Sequence, residues 1–445
     1  MTLDWRLRQS GPKRDKRVYN AAYLRAQKKK CRVLGKIGPT MKKMVPVVVV
    51  GGTLNALGVV RSLARGGMPI FLVVTTPWRV AAWSRFCKIV RIPTVKGHGL
   101  VDGLTELSSR IGEPAVLFLT EDRDVEVVST FREELENRFH FCLPPKEMIR
   151  TLLDKTLFQK FAEREGFSVP RAIVVGEVGD LSLLEDLALP VVIKPHNFQM
   201  VSDRGAKRAV RVDTFEQARD AATEMLESAG RIVVQEWIEG ADSDIFFTLF
   251  ACDSSCRMTA LFSGRKLTCD PREVGSTAVC VAAGEAGDEL AKLTLQFIAK
   301  VRYQGVGSLE FKRDRKTGKF VIIEPTVGRT DWQEEIATLC GVNIPLIAYW
   351  AELGCTFEQT PDKSVQVAWR SSTKHRPPTG ALLRGTRIVD GHFRLADPLP
   401  GLYQYMTGHL AQPIWIRAKR VIRLCASTVT WSKQPSVIST KQDNR

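Results

Sequence analysis

The 445-residue chain has no run of about 18 uncharged apolar residues, so no membrane-spanning helix is expected. Its ten cysteines contain no C-x-x-C pair. The closest two, Cys252 and Cys256, are followed by no histidine cluster, so neither a disulfide framework nor a zinc site is expected. Free thiols suit a reducing, cytoplasmic setting. The six histidines are dispersed and suggest no triad. The basic N-terminus has no apolar stretch behind it, so no secretory leader is expected either. What is abundant is ordinary globular material: 44% hydrophobic and 25% charged residues exclude wholesale disorder and leave room for two or three domains with cores.

The net charge of +17 is unevenly placed. Residues 1–45 carry 14 Lys/Arg against two Asp, and residues 410–445 carry seven against one, which leaves the 46–409 body near neutral. A neutral body does not read as a nucleic-acid-binding domain, and no specific nucleic acid is expected as a partner. Residues 1–45 read as a basic mobile arm with one short helix near 18–27. Basic ends offer contact with an anionic membrane surface, which would place the protein peripherally at the inner membrane face.

At Val45 the character changes. Pro46 opens the run Val47-Val48-Val49-Val50 before Gly51-Gly52, the pattern of a buried parallel strand and a tight turn. Residues 55–64 have helical spacing, 69–74 give a second strand and 115–119 a further one, so 46–145 is expected to be an open α/β sheet. The turn reads G-G-T-L-N-A and not G-x-G-x-x-G, and no acidic residue closes the second strand. The glycines are therefore taken as a packing turn in preference to the nicotinamide site of an oxidoreductase. Further on, 152–166 reads as one amphipathic helix, 188–195 as a strand, 215–229 as a helix, 232–236, 245–252 and 257–263 as strands, and 285–301 as a helix. Two strands, 307–311 and 320–324, flank the turn 314–318.

Those two strands carry Glu310 and Glu324. Paired across an antiparallel ladder, two carboxylates repel unless a cation lies between them, and hard oxygen ligands suit magnesium. The alternatives are solvated strand-end carboxylates or an ion pair with Lys312. Lys194 ends an apolar strand, a position from which a lysine reaches for an anion. Lys155 opens a helix and reads by itself as solvated. The segment Gln235-Glu236-Trp237-Ile238-Glu239-Gly240 offers backbone groups, an apolar wall and acids, which an adenine and a ribose require. Arg265 and Lys266 read as an exposed basic pair, solvated or facing an anionic acceptor together with Arg329, Thr330 and Asp331.

In this order, D-K-T-L-F-Q-K-F, L-P-V-V-I-K-P, V-V-Q-E-W-I-E-G, G-S-L-E-F-K and V-I-I-E-P-T-V-G-R-T-D-W-Q resemble the motifs of the ATP-grasp superfamily. The opening G-G-T-L-N-A-L-G looks like the preceding domain of its predicted ATP-dependent carboligases, the carbamoyl-phosphate-synthase-like and D-aspartate-ligase-like group. The resemblance covers about residues 46–350. It implies an α/β, α+β grasp class: a Rossmann-like pre-ATP-grasp domain at 46–145, then a two-lobed ATP-grasp domain at 146–354 with its lid at about 172–238. Residues 355–445 are left as a C-terminal extension of uncertain fold.

The resemblance further implies a ligase that activates a carboxylate as an acyl phosphate and joins it to an amine or thiol. Lys155 and Lys194 would bind ATP phosphates. Glu236, Trp237 and Ile238 would face adenine, and Asp242, or else Asp244, the ribose. Glu310 and Glu324 would bind two magnesium ions, with manganese as an alternative, and Arg329 would steady the transferring phosphoryl group. Two positions depart from the family. Thr326 stands where asparagine is usual, as a weaker metal ligand. The phosphate-covering loop 196–210 has only Gly205, so Lys207 or Arg208 would supply side-chain charge. These departures motivate a second reading, an ATP-binding sensor or assembly factor without turnover. The stretch 413–424 interleaves apolar and basic residues and reads as a helix, either packed on the body or lying on a membrane surface.

Overall fold

The structure, a computed structural model, describes residues 44–196, 209–355, 357 and 365–407. The 1–45 arm up to residue 43, Lys207 with its loop, and the 413–424 segment lie outside the described residues.

Strand β1 (Val47–Val50) consists of four valines with no exposed surface, which requires neighbours on both edges and helices on both faces. It pairs in parallel with β2 (Ile70–Val74) and β4 (Ala115–Leu119); β3 (Lys88–Arg91) and β5 (Phe139–His140) complete the order β3-β2-β1-β4-β5. The expected open sheet is present. Gly51 has φ +119°, and a Cβ there would collide with Thr120 Oγ1, so the glycine turn serves packing of the loop on β4. Because β1 lies between β2 and β4, the loops after β1 and β4 part at the carboxyl edge and open a crevice there.

The helix expected over 152–166 is two helices, Lys146–Leu153 and Lys155–Arg164. Asp154 is extended between them, and its carboxylate accepts from Thr156 N and Leu157 N. That N-cap satisfies two of the second helix's first amides and starts it at Lys155.

Residues 172–236 form a lobe with a core of its own. Strands β6 (Ala172–Val175), β7 (Val191–Pro195), β8 (Val210–Val212) and β9 (Ile232–Glu236) make an antiparallel sheet in the order β6-β9-β7-β8. The helix Phe215–Ala229 covers it, packing Ala222 and Met225 among Ile193 and Val234.

The larger lobe is a seven-stranded sheet of β10 (Ile245–Cys252), β11 (Met258–Asp270), β12 (Ser276–Ala282), β13 (Gly305–Arg313), β14 (Phe320–Val327), β15 (Val367–Arg370) and β16 (Arg387–Asp390), in the order β14-β13-β10-β11-β12-β15-β16. Two expectations are corrected here. Strand β11 continues beyond Ser263 to Asp270, so Arg265 and Lys266 lie inside a strand and point to opposite faces. The segment after residue 354 is no separate extension as far as it is described: β15 and β16 continue the grasp sheet.

Residues 391–407 then return to the N-terminal domain. Asp397 is 1% exposed and accepts from Arg61 Nε and Ser84 Oγ, both at 3.0 Å, and from Arg85 N at 2.9 Å. Tyr403 stacks on Trp83 with ring centroids 5.0 Å apart. One continuous core runs from β1 through Ile336 and Tyr349 to Trp369, joining the open domain to the larger lobe.

Candidate active site

One cleft is walled by all three parts: Thr53, Asn55 and Thr120–Asp122 from the open domain, Val192, Lys194 and Gln235–Ile238 from the small lobe, and Lys266, Glu310, Glu324, Arg329 and Asp331 from the large one. The crevice of the open sheet supplies its floor.

Glu310 and Glu324 are direct cross-strand partners on β13 and β14, as the strand–turn–strand pattern predicts. A bulge follows Glu310, between it and Phe311. Neither carboxylate pairs with Lys312. Lys266 Nζ donates to Glu310 Oε2 at 2.5 Å, and Lys155 Nζ donates to Glu324 Oε1 at 2.6 Å. Lys266 is 3% exposed. Burial disfavours its charge, but the Glu310 carboxylate outweighs that and leaves its pKa raised. Its pairing was missed because the polar Ser263-Gly264-Arg265-Lys266 stretch reads as a strand end. Lys312 instead lies 3.8 Å from the centre of the Trp237 ring, and burial lowers its pKa.

Lys194 Nζ donates to Gln235 Oε1 at 2.9 Å, and Gln235 Nε2 donates to Gln159 Oε1 at 3.0 Å. This chain holds the lysine at the cleft wall. Glu236 Oε1 accepts from Ala188 N, and the Trp237 amide donates to Pro190 O. The Trp237 N–H is therefore already engaged within the lobe. Arg329 Nε donates to Asp122 Oδ1; burial disfavours its charge, but Asp122 outweighs that and raises its pKa. Behind Asp122, Asp124 is 1% exposed with both oxygens unpartnered among the described residues. Burial first, then Glu121, push its carboxyl up to about 8.

Other expected residues lie elsewhere. Asp242 is not in the wall: its oxygens accept from Glu273 N at 2.8 Å and Cys269 N at 2.9 Å, fastening the turn after β11. Asp244 is paired with Arg315. The acids that do line that end are Glu236 and Glu273, the latter paired with Arg211 of the small lobe. Arg265 donates to Ser243 O and lies over the Phe246 ring. Thr330 is buried, and its hydroxyl donates to Asn55 Oδ1 at 2.9 Å while Asn55 Nδ2 donates to Thr330 O at 2.7 Å, which locks the two domains together. Thr326 pairs with Ser308 on the ladder and is not part of the wall. Asp331 does line the cleft, together with Thr277 and Gln333, which the sequence did not single out.

An open parallel domain and two unequal lobes closing on one cleft define a grasp-type α/β architecture. No protein-family model matches the chain, and no curated protein matches it. Solved structures match it at low identity. N5-carboxyaminoimidazole synthetase from Staphylococcus aureus is 12% identical over 72% of this chain and 80% of that one, with a TM-score of 0.56. The biotin carboxylase domain of Hydrogenobacter thermophilus 2-oxoglutarate carboxylase, a dimer in complex with MgADP, ADP and bicarbonate, is 15% identical over 70% of both chains (TM-score 0.56). L-amino acid ligase from Bacillus licheniformis is 15% identical over 70% of this chain and 75% of that one (TM-score 0.52). The chain has the ATP-grasp fold.

Proposed function

We propose that the protein is an ATP- and magnesium-dependent ligase joining a small carboxylate to a nucleophile, of the carboligase kind that its opening motif resembles. The observation that carries this reading is the cross-strand pair Glu310 and Glu324, in one cleft with Lys155, Lys194 and Arg329. Two carboxylates with lysine counter-ions are hard oxygen donors that fit magnesium, or manganese in its place. Bound there, the metal would neutralise phosphate charge. Among the described residues no group of three or more His, Cys, Asp or Glu forms a metal cluster, so phosphate oxygens would have to complete the ligand set.

Lys155 and Lys194 would hold the phosphates, and the Glu236–Ile238 segment the adenine. Asp242 carries no ribose in this reading; Glu236 and Glu273 are the acids available at that end. A substrate carboxylate oxygen attacks the γ-phosphorus, the bond to the β-phosphate oxygen breaks, and ADP leaves. The nucleophile then bonds to the acyl carbon, phosphate leaves with the C–O pair, and one proton is lost from the nucleophile. Arg329, held by Asp122, would stabilise charge on the transferring group. Release of ADP and phosphate that requires both a supplied acid and a nucleophile tests the reading. Nucleotide binding without such release would favour the sensor or assembly role, to which the position of Thr326 outside the wall lends support.

A further inference from the structure

The small lobe sits against the large one without a shared core. Its apolar cluster, from Val175 to Val234, is built from residues of the lobe itself, and among the described residues none of its four strands pairs with the seven-stranded sheet. Units with separate cores move against each other unless other contacts hold them. A polar contact crosses between these two. From β8, Arg211 Nη1 donates to both carboxylate oxygens of Glu273 at 3.0 Å, in the turn between β11 and β12. The Arg211 guanidinium also lies 5.0 Å from the centre of the Trp237 ring, which Lys312 approaches from the large lobe. Trp237, Glu273 and Lys312 line the cleft, so the contact closes it at the end where the adenine would sit.

Glu273 is set in place for this contact. Its φ of +68° is in the left-handed region, which a residue other than glycine keeps only where its surroundings hold it. The hold is Asp242, whose carboxylate accepts from Glu273 N and Cys269 N. The pair itself is open to water, with the two side chains 29% and 47% exposed. An ion pair so exposed is weak, so it favours the closed arrangement of the lobes without locking it. That is the strength needed in a contact that must open each time a ligand passes. We infer that Arg211 and Glu273 form a latch that closes the small lobe over the cleft and sets how fast nucleotide enters and leaves. The latch regulates the site of the ligase reading and rests on that reading for its ligand; its opening is measurable in the empty protein.

Stopped-flow tryptophan fluorescence of the full chain with Mg-ADP reads both directions, since Trp237 lines the cleft. Arg211→Gln should raise the entry and release rates together by about three- to fivefold, the size that an exposed ion pair supplies, and leave affinity within about twofold. Arg211→Gln/Glu273→Gln should release no faster than Glu273→Gln alone. Asp213→Asn, which removes a partner of Arg211 inside the lobe, should change neither rate. In the nucleotide-free chain, hydrogen exchange of the 270–276 amides should quicken in each single variant and no further in the double one. Should Arg211→Gln fail to fold, Glu273→Gln in its exposed turn carries the exchange comparison. Unchanged rates in Arg211→Gln, weakened affinity at an unchanged entry rate, additive effects in the double variant, or an equal effect of Asp213→Asn would each overturn the latch. Failure of the native chain to bind Mg-ADP would reject the nucleotide reading instead, and hydrogen exchange of the empty chain would then decide the latch by itself.

Discussion

Lys155 and Glu324 meet at 2.6 Å across 169 positions of sequence. The lysine that the motif order assigns to phosphate thus neutralises a carboxylate that it assigns to metal, and Lys266 does the same for Glu310. Within these two pairs each carboxylate is matched by one ammonium group. In the proposed ligase reading Glu310 and Glu324 would hold the metal and Lys155 the phosphates, so that each of these charges would keep a counter-charge in the loaded cleft.

Exchange of this kind makes both carboxylates necessary for metal-coupled binding. Glu310→Gln and Glu324→Gln should each raise the magnesium concentration needed for half-maximal nucleotide binding by about tenfold or more, with melting behaviour retained. A magnesium titration of fluorescent ATP binding measures this; unchanged midpoints in both variants would remove the metal assignment.

Lys194→Ala removes a cation held at the wall by Gln235. A charge-assisted hydrogen bond is worth roughly 1.5–3 kcal/mol, so ATP affinity should fall about tenfold or more while adenosine affinity hardly changes. Equal weakening of both ligands in calorimetry would make Lys194 a support for the lobe.

Glu334 has no exposed surface, and burial first, then Glu335, push its carboxyl up to about 8 from an ordinary 4.5. Its folded pKa is raised, so the folded state binds more protons than the unfolded state between those values. Stability should therefore fall as pH rises from about 4.5 to about 8. Glu334→Gln should flatten this dependence and be the more stable chain at pH 8, by on the order of a few kcal/mol. Denaturant midpoints of both chains at pH 5 and pH 8 give the comparison, and parallel curves would exclude Glu334 as the source.

Gly58 lets the first helix of the open domain approach that carboxylate, since a Cβ there would lie 2.8 Å from Glu334 Oε2. Gly58→Ala should cost about 1–3 kcal/mol in urea unfolding, the usual size of an overpacking penalty. A stability gain would mean that the contact relaxes freely.

Removal of residues 1–43 should leave nucleotide binding within about twofold of native, since among the described residues none of the cleft wall precedes Thr53. If the basic arm acts at a membrane, the same deletion should reduce salt-sensitive flotation with anionic vesicles. Loss of ATP binding in a well-folded truncation would instead bring the arm into the site.

Much of this was legible because short-range patterns settle it. The β-branched run before Gly51 fixes a central strand, and the turn 314–318 sets the register that brings Glu310 opposite Glu324. Lys266 was obscured because its polar neighbours interrupt the apolar alternation, while the partner that makes burial tolerable lies 44 residues away. The Asp154 cap was available in the sequence as Asp-Lys-Thr before an apolar-periodic run, but the flanking helices merge into one apparent period. Asp242 shows a different limit. A carboxylate near a nucleotide hinge looks the same in sequence whether it meets a sugar or two backbone amides. The return of residues 391–407 to the open domain depends on pairs more than 300 positions apart, which no local pattern announces.

The Arg61–Asp397 contact also sets a timetable. Arg61 emerges from the ribosome 336 residues before the aspartate that neutralises it. At bacterial-to-eukaryotic elongation rates of about 5–20 residues per second, that interval is roughly 15 s to one minute. Throughout it the first domain carries Arg61 without its Asp397 hydrogen bond, leaving only Glu335, 3.8 Å away, to oppose its charge. The first of the described domains to be made is therefore among the last to be completed, and a nascent chain halted before Asp397 should remain a client of the cell's chaperones.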